Sequence, residues 1–305
     1  MTYTIERLGH LGHGIASGPQ GPLYVPGVLP GEVVEGDPAG DRLDNLRIVT
    51  PSVDRVKPPC PHARACGGCQ LQHASDSFVA GGKRDGVANA LTAQGLAADG
   101  LRDGVATSPP RSRRRATVAA RKTKGGALVG FHARGSDVII PVPGCILLHP
   151  SLMALFPAVE ALAVAGGSRS QALAVTLTHS LTGPDVRVEG GKPLDAALRM
   201  DLARLAERFA LARLTWGDET VALRAMPEQA FGPARVQMPP AAFLQATEAG
   251  EAVLVRAVKQ ALIPQKRVAD LFAGMGTFAL PLAETAEVAA YEGEAAVVAA
   301  LDKAA

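Results

Sequence analysis

The sequence predicts a multidomain protein: a small N-terminal β-barrel of the OB-like kind, an α+β central domain, and an incomplete α/β, Rossmann-like domain. Three observations predict this fold class. Glycine and proline interrupt short β-rich runs throughout residues 1–56, strand and helix patterns are mixed in residues 57–240, and residues 241–305 show the order helix, strand, glycine-rich turn, helix, strand, helix. These three ranges are the predicted domains.

Composition excludes several classes of protein. The chain has 305 residues, of which 47% are hydrophobic, and its 31 Lys and Arg against 29 Asp and Glu give a net charge of +2. No apolar run is suited to a signal peptide or reaches the roughly 18 residues of a membrane span. We therefore expect a cytoplasmic monomer without a membrane partner. In a reducing compartment, cysteines serve metal binding or catalysis more often than disulfides.

The first 56 residues have the pattern of a small barrel. Their β-rich runs recur about every 8–12 residues, with a turn at Pro30 and Gly31 inside LYVPGVLPGEVVEG. The alternative is a loop-rich β-extension without a binding role.

The four cysteines form the next pattern. Cys60, Cys66 and Cys69 lie in PPCPHARACGGCQLQH, and Cys145 lies in PVPGCILLHP. Three clustered cysteines and one distant cysteine are typical of an iron–sulfur site, whereas zinc sites more often show two Cys-x2-Cys pairs. The spacing favours an iron–sulfur cluster and leaves zinc or a redox dithiol open.

The central segment alternates strands and helices. A helix is predicted over 77–97, strands over 105–150 with a hairpin turn at Gly125–Gly126, and a helix from Ser151 with that serine as N-cap. A second strand pair, an amphipathic helix in LDAALRMDLARLAERFA and two strands around Gly217 follow.

A run of basic residues indicates a nucleic acid partner. Residues 105–135 hold eight Lys and Arg and no acidic residue. Such a one-sided charge is the expected footprint of an RNA backbone, although a solvated hairpin would look similar. The candidate RNA-binding residues are Arg111, Arg113, Arg114, Arg115, Arg121, Lys122 and Lys124.

The C-terminal segment contains a nucleotide-binding pattern. A helix is predicted in FLQATEAGEAVLVRAVKQALI, and an apolar strand then leads through Asp270 and a glycine-rich turn into a second helix. Glu292 follows the next apolar run, where its carboxylate could accept bonds from both ribose hydroxyls. Asp270 would repel a pyrophosphate but could face the cationic end of S-adenosylmethionine. A turn selected only for packing is the alternative.

Together these motifs resemble the RNA (uracil-5-)-methyltransferases, in the branch that contains a [4Fe-4S] cluster and acts mainly on ribosomal RNA. GHGIASGPQGPLYVPGVLPGEVV looks like the TRAM domain, a small RNA-binding barrel. CPHARACGGCQLQH with Cys145 looks like the four-cysteine cluster site, SPPRSRRRATVAAR and GFHARGSDVIIPVPGC like the central domain, and FLQATEAG and ADLFAGMGTFALPLA like the cofactor motifs.

The resemblance implies specific ligands. Gln245, Phe272, Thr277 and Glu292 match the family's S-adenosylmethionine contacts, and Asp270 and Gly274 belong to the same loop; Thr277 stands where asparagine is common. The resemblance also implies a [4Fe-4S] cluster on Cys60, Cys66, Cys69 and Cys145, and favours ribosomal over transfer RNA as the partner.

The implied reaction is methylation of uracil C5. A cysteine adds to C6, the resulting enolate takes the methyl group at C5, and a carboxylate base helps to remove the C5 proton. In the family these two residues follow the cofactor loop, so we expect them beyond residue 305 and nominate no catalytic residue in this chain. The alternative function is a non-catalytic RNA-binding iron–sulfur or zinc protein.

Overall fold

The chain divides into two compact units in the computed structural model, which describes residues 1–101 and 104–305. The first unit is Met1–Thr107 with Ala133–Gly135, and the second is Ser108–His132 with Ser136–Ala305. The division into three domains stays a prediction. Within the described ranges, no helix is long and apolar enough to cross a membrane.

The first unit begins with six strands. These are β1 (Thr2–Thr4), β2 (Arg7–Leu8), β3 (Gly14–Gly18), β4 (Gly21–Val25), β5 (Val33–Ala39) and β6 (Arg42–Thr50). They form two antiparallel sheets of three strands, in the orders β1-β5-β6 and β2-β3-β4. Apolar side chains from both sheets, among them Val25 and Val34, share one core.

The remainder of the first unit is a loop that carries three cysteines and then a helix, α1 (Asp76–Ala93). The Ser75 hydroxyl accepts the Phe78 N–H at 3.2 Å and caps the helix. The helix was expected to reach residue 97, but it ends at Ala93, shortly before Gly95 with φ +71°.

The second unit contains a mixed sheet of seven strands in the order β13-β12-β11-β10-β7-β8-β9. The strands are β7 (Arg115–Lys122), β8 (Ala127–His132), β9 (Ile139–Pro141), β10 (Leu173–Thr178), β11 (Asp185–Glu189), β12 (Arg213–Trp216) and β13 (Glu219–Leu223). Only β11 and β12 pair in parallel, and the crossover between them contains a helix. The predicted hairpins at Gly125–Gly126 and Gly217 are both present.

Helices cover one face of this sheet. They are α2 (Pro150–Met153), α3 (Phe156–Gly166) and α4 (Ala196–Arg208), the last capped by Asp195. Alternate residues of β7 and β10, such as Val118 and Val175, point into the core beneath α3 and α4.

The predicted helix from Ser151 is wrong in detail, because the structure has two helices there. His149 rather than Ser151 caps α2, and its Nδ1 accepts the Ser151 N–H at 3.2 Å. Pro157 lies in the first turn of α3. Proline is tolerated there but disrupts a helix interior, which explains why one continuous helix does not form.

The end of the chain adds a hairpin and alternating helices and strands. These elements are β14 (Glu228–Phe231), β15 (Ala234–Gln237), α5 (Glu248–Ala261), β16 (Arg267–Leu271), α6 (Ala279–Ala283), β17 (Glu287–Tyr291) and α7 (Ala295–Asp302). The helix expected from Phe243 begins only after Thr247, whose hydroxyl accepts the Gly250 N–H at 3.0 Å. Residues 241–246 are therefore a non-helical segment.

Candidate cofactor site

The glycine-rich loop lies at the end of a parallel strand pair. Strands β16 and β17 run in parallel with Leu271 opposite Tyr291, so Asp270 and Glu292 lie near the same carboxyl edge. The Ala273 N–H donates to the Tyr291 carbonyl at 3.0 Å, which holds the loop against the end of β17. The carboxyl edge of parallel strands is where α/β folds bind ligands.

The loop has a backbone that few sequences can adopt. Gly274 and Gly276 have φ values of +57° and +89°. A Cβ at Gly276 would lie 2.6 Å from Leu301 Cδ1, whereas one at Gly274 would meet no atom within 4 Å. Gly276 is thus required for packing against α7, and Gly274 leaves open space above the loop.

Phe272 shows a second departure from ordinary backbone. Its φ is +61° and its side chain is 91% exposed. A non-glycine residue in the left-handed region, with a large aromatic group in solvent, marks a strained segment of the kind that is common at binding sites. Thr277 follows the loop as a half-buried residue just before α6.

Glu292 ties the second strand to the loop. One carboxylate oxygen accepts the Gly274 N–H at 2.9 Å, and the other accepts the N–H groups of Gly293 at 2.7 Å and Glu294 at 3.1 Å. These backbone donors, from Glu294, Gly274 and Gly293, lower the pKa of Glu292. The carboxylate is therefore held ionised beside the glycine loop.

Asp270 has the opposite environment. Its Oδ2 atom is buried without a hydrogen-bond partner among the described residues. Burial raises the pKa of Asp270, although a hydrogen bond from the Ala279 N–H acts in the other direction. An unsatisfied buried carboxylate oxygen favours a cationic or hydrogen-bond-donating ligand, because such a group would compensate its lost hydration.

The segment 241–247 packs on the same core as the glycine-rich loop. Ala242 and Leu244 are buried in one apolar cluster with Ala273 and Met275. Because burial alternates along this extended segment, Gln245 is not part of that core and stays half-buried. The structure thereby attaches the segment that carries Gln245 to the core beneath the loop.

Phe243 is a candidate that the sequence-based assignment missed. Its side chain is 70% exposed and alternates with buried Ala242 and Leu244. The same apolar alternation, Ala-Phe-Leu-Gln, was visible in the sequence and could have paired Phe243 with Gln245 on one side. A cleft of about 390 Å³ lies beside this segment, and its lining includes Phe243, Gln245, Arg113, Arg115 and Thr117.

Six of the seven predicted RNA-binding residues are at least partly accessible. Arg111 and Lys124 are exposed, and Arg113, Arg115, Arg121 and Lys122 are half-buried. Arg115 donates to the Ala241 carbonyl at 3.3 Å and Lys122 donates to the Val164 carbonyl, so these two also have structural contacts.

Arg114 departs from the predicted basic face. It is only 3% exposed, and its Nη2 atom lies 2.6 Å from Glu251 Oε2. A guanidinium that is buried and paired with a carboxylate has no surface with which to contact RNA. The prediction of an RNA contact at Arg114 is therefore corrected.

The four cysteines of the predicted cluster site are divided between the two units. Cys60, Cys66 and Cys69 belong to the first unit and Cys145 to the second, and Cys66 Sγ accepts the Gly68 N–H at 3.3 Å. In the part of the chain that the structure describes, no group of three or more His, Cys, Asp or Glu side chains could hold a metal ion. The described residues therefore give no support to the cluster, which stays a prediction.

The fold and the candidate site define a class of protein: an α/β fold with a glycine-rich loop and an acidic residue near the end of each of two adjacent parallel strands. The chain aligns with a solved tRNA (uracil-54, C5)-methyltransferase of Pyrococcus abyssi, in complex with S-adenosyl-L-homocysteine, with a TM-score of 0.73. That alignment covers 100% of this chain and 76% of the other at 17% identity, and it shows the fold. No family model matches the sequence.

Proteins related in sequence have a higher identity to this chain than that solved structure has. An uncharacterized RNA methyltransferase of Mesorhizobium japonicum is 39% identical over 99% of this chain and 72% of its own length. A 23S rRNA (uracil(1939)-C(5))-methyltransferase of a Marinomonas species is 30% identical over 94% of this chain and 67% of its own length. The chain belongs to the RNA methyltransferase family.

Proposed function

We propose that this protein takes part in the S-adenosylmethionine-dependent methylation of C5 of a uridine in RNA, with ribosomal RNA as the substrate. Membership of the RNA methyltransferase family supports the reaction, and the relative that acts on 23S rRNA supports the substrate. The observation that carries the proposal is the pair of acidic residues, Asp270 and Glu292, at the edge of an open glycine-rich loop.

S-adenosylmethionine would supply the methyl group, and the residues at the loop fit its parts. Glu292 would bind the ribose hydroxyls, and Asp270, with its unsatisfied oxygen, would face the cationic methionine end. The remaining proposed contacts are Gln245, Phe272, Gly274 and Thr277.

Glu292 must rearrange when it binds a ribose. A carboxylate has about four acceptor positions, and Glu292 already accepts three backbone N–H groups. Two ribose hydroxyls would require that at least one of these bonds opens. Cofactor binding should therefore alter the loop around Gly274.

RNA would be held by the accessible basic residues of the central sheet. Arg111, Arg113, Arg115, Arg121, Lys122 and Lys124 carry six positive charges close together in the sequence. Phosphate contacts of this type give affinity without sequence specificity. The target uridine would have to leave its stack to be reached.

Other expectations remain predictions. They are a cytoplasmic location, a monomeric state and a [4Fe-4S] cluster on the four cysteines. The alternative of a non-catalytic RNA-binding protein has no observation in its favour beyond those that the methyltransferase also explains.

Calorimetric titration with S-adenosylmethionine tests the proposal. We expect Glu292→Gln to weaken binding by about 10-fold, equivalent to about 1.4 kcal/mol, because the amide accepts ribose hydroxyls less well. Glu287→Gln is the matched control, since Glu287 is exposed at the other end of β17. Failure of the unaltered chain to bind the cofactor, or equal losses in both variants, would refute the proposed site.

A further inference from the structure

We propose that Arg114 is a positioning residue: together with Glu251 it locks the backbone of residues 241–247, so that Gln245 is oriented for the bound cofactor. This inference rests on the proposed function, which assigns Gln245 a contact with S-adenosylmethionine. It replaces the RNA contact predicted for Arg114 with a role inside the protein.

The contacts of Arg114 converge on two consecutive peptide groups. Its Nε atom donates to the Gln245 carbonyl at 3.1 Å, and its backbone N–H donates to the Ala246 carbonyl at 2.9 Å. Its own carbonyl accepts the His179 N–H at 2.8 Å, which joins this position to the end of β10. Arg114 thus fixes the Gln245–Ala246 peptide group and the peptide group that follows it.

Glu251 completes the arrangement from the first turn of α5. Its Oε2 lies 2.6 Å from Arg114 Nη2, and it is the one buried residue that α5 contributes. Burial raises the pKa of Glu251, and the Arg114 guanidinium acts against that rise. Glu248 lies 3.9 Å from Nη1 but is mostly exposed, so it adds little.

Two further hydrogen bonds hold the ends of the same segment. Arg115 Nη2 donates to the Ala241 carbonyl at 3.3 Å, and the hydroxyls of Ser108 and Thr247 lie 2.6 Å apart. With both ends held and Leu244 anchored in the core, the peptide bonded to Arg114 determines which way Gln245 faces. This arrangement pre-orients a ligand-binding side chain by packing and hydrogen bonds rather than leaving it on a mobile loop.

The geometry requires arginine rather than any cation. A guanidinium donates from Nε and Nη2 in one plane, which satisfies a main-chain carbonyl and a carboxylate at once. A lysine ammonium retains the charge but has no Nε donor at that position. Arg114→Lys should therefore keep the ion pair with Glu251 and release the Gln245 carbonyl.

The experiment is a double-mutant cycle on cofactor affinity with the full chain. We expect Gln245→Ala and Arg114→Lys each to weaken S-adenosylmethionine binding by about 10-fold, and the double variant to be no weaker than either single one. A residue that only stabilises the fold would show multiplicative losses, because its effect would not depend on Gln245.

The matched control is Arg55→Lys in the first unit. Arg55 donates to both oxygens of buried Glu32 and to the Gly27 carbonyl at 2.8 Å. Like Arg114, it therefore joins a buried carboxylate to a main-chain carbonyl, but far from Gln245 in the sequence. We expect Arg55→Lys to lower the melting temperature without changing cofactor affinity. If Arg114→Lys does not fold, Glu251→Gln takes its place in the cycle. It removes the charge that holds the guanidinium, while its amide oxygen can still accept from Nη2, so we expect a smaller loss of affinity that again depends on Gln245.

The outcomes separate the two proposals. Absence of binding by the unaltered chain overturns the proposed function and this inference with it. Normal binding by the unaltered chain, with equal affinity in Arg114→Lys or multiplicative losses in the cycle, overturns the positioning role alone.

Discussion

At the scale of single residues, two acidic side chains that look alike in the sequence have opposite chemistry in the structure. Backbone N–H groups lower the pKa of Glu292, whereas burial raises the pKa of Asp270. The difference follows from what each oxygen contacts: Glu292 accepts three N–H groups, and Asp270 has a buried oxygen with no partner in the described residues. A cationic or hydrogen-bond-donating ligand would satisfy the buried oxygen of Asp270, whereas backbone N–H groups already satisfy Glu292.

The raised pKa of Asp270 gives a prediction with a definite sign. A carboxyl group whose pKa is raised by folding contributes stability at low pH, below the ordinary aspartate pKa, and loses it as the pH rises through the folded value. At neutral pH the ionised Asp270 therefore costs stability. We expect Asp270→Asn to raise the melting temperature at pH 7 by about 2 °C or less, because partial exposure screens the cost to below about 1 kcal/mol.

The same variant should lose function. Without the carboxylate, the cationic end of the cofactor has no counter-charge, and we expect affinity for S-adenosylmethionine to fall by about 10-fold. Thermal melts at pH 4 and pH 7 with a parallel binding titration check both parts. A variant that is less stable at pH 7 and binds normally would contradict this account of Asp270.

At the scale of elements, the packing of Trp216 shows how one side chain joins a strand to the end of a helix and to a loop. The indole at the end of β12 donates from Nε1 to the Lys192 carbonyl at 2.9 Å. A Cβ at Gly166 would lie 2.4 Å from Trp216 Cζ2, and one at Gly191 would lie 2.1 Å from the same atom. Both glycines are needed because the ring occupies the space of their missing side chains.

This packing predicts a stability effect. We expect Gly166→Ala to destabilise the protein by about 1–3 kcal/mol, since the rigid, hydrogen-bonded indole cannot move aside without strain. Gly82→Ala on α1 is the control, because a Cβ there meets no atom within 4 Å and alanine favours helix. Denaturant unfolding monitored by Trp216 fluorescence and by circular dichroism measures both variants. A neutral Gly166→Ala would show that Trp216 is free to shift.

Strand β7 is the element on which the proposed RNA interaction depends. Its Val118 and Ala120 face the core, and the accessible Arg121 does not belong to that core cluster. The segment around β7 carries only positive charges. Its accessible arginines would be free to contact phosphates, and its apolar residues hold the strand in the sheet.

We expect Arg121→Glu to weaken binding of a structured RNA fragment and to lower the slope of log K against log salt by about 0.7 or more, because at least one phosphate contact is lost. Arg204→Glu on α4 provides the control, since it makes the same charge change at an exposed position of a core-packed helix. Binding isotherms at several salt concentrations measure the slope. If both variants changed the slope equally, the effect would come from net charge alone and not from a contact at Arg121.

At the scale of the whole molecule, the cysteine pattern predicts a metal site that the structure does not support. The spacing of Cys60, Cys66, Cys69 and Cys145 is typical of a four-thiolate cluster, yet the described residues include no arrangement that could hold a metal ion. The sequence predicts that the four cysteines bind a metal, and chemical analysis of the metal content of the protein tests this prediction.

Iron and sulfide analysis of protein purified without oxygen tests the cluster. The cysteine pattern predicts a brown protein with about four irons per chain, and Cys60→Ser or Cys145→Ser should remove the colour. Stoichiometric zinc in a colourless protein would favour the alternative metal. The absence of any metal would refute both the cluster and the zinc alternative.

The sequence by itself determined the order of most elements, and it predicted the residues of the candidate cofactor site. Local signals were sufficient for the hairpin at Gly125–Gly126 and for the strand, glycine turn and helix around Asp270, because turn residues and apolar periodicity act over a few positions. They were less accurate at helix starts, where Thr247 and Pro157 fixed boundaries that periodicity alone did not resolve.

Only the tertiary structure decided what each charged side chain does. Arg113, Arg114 and Arg115 are identical in type and adjacent in the chain, yet Arg114 is buried against Glu251, which is 137 positions away in the sequence. The structure likewise separated the roles of Asp270 and Glu292 and brought Leu244 into one core with Ala273. Burial and pairing depend on contacts between distant segments, and such contacts leave no periodic signal in the sequence.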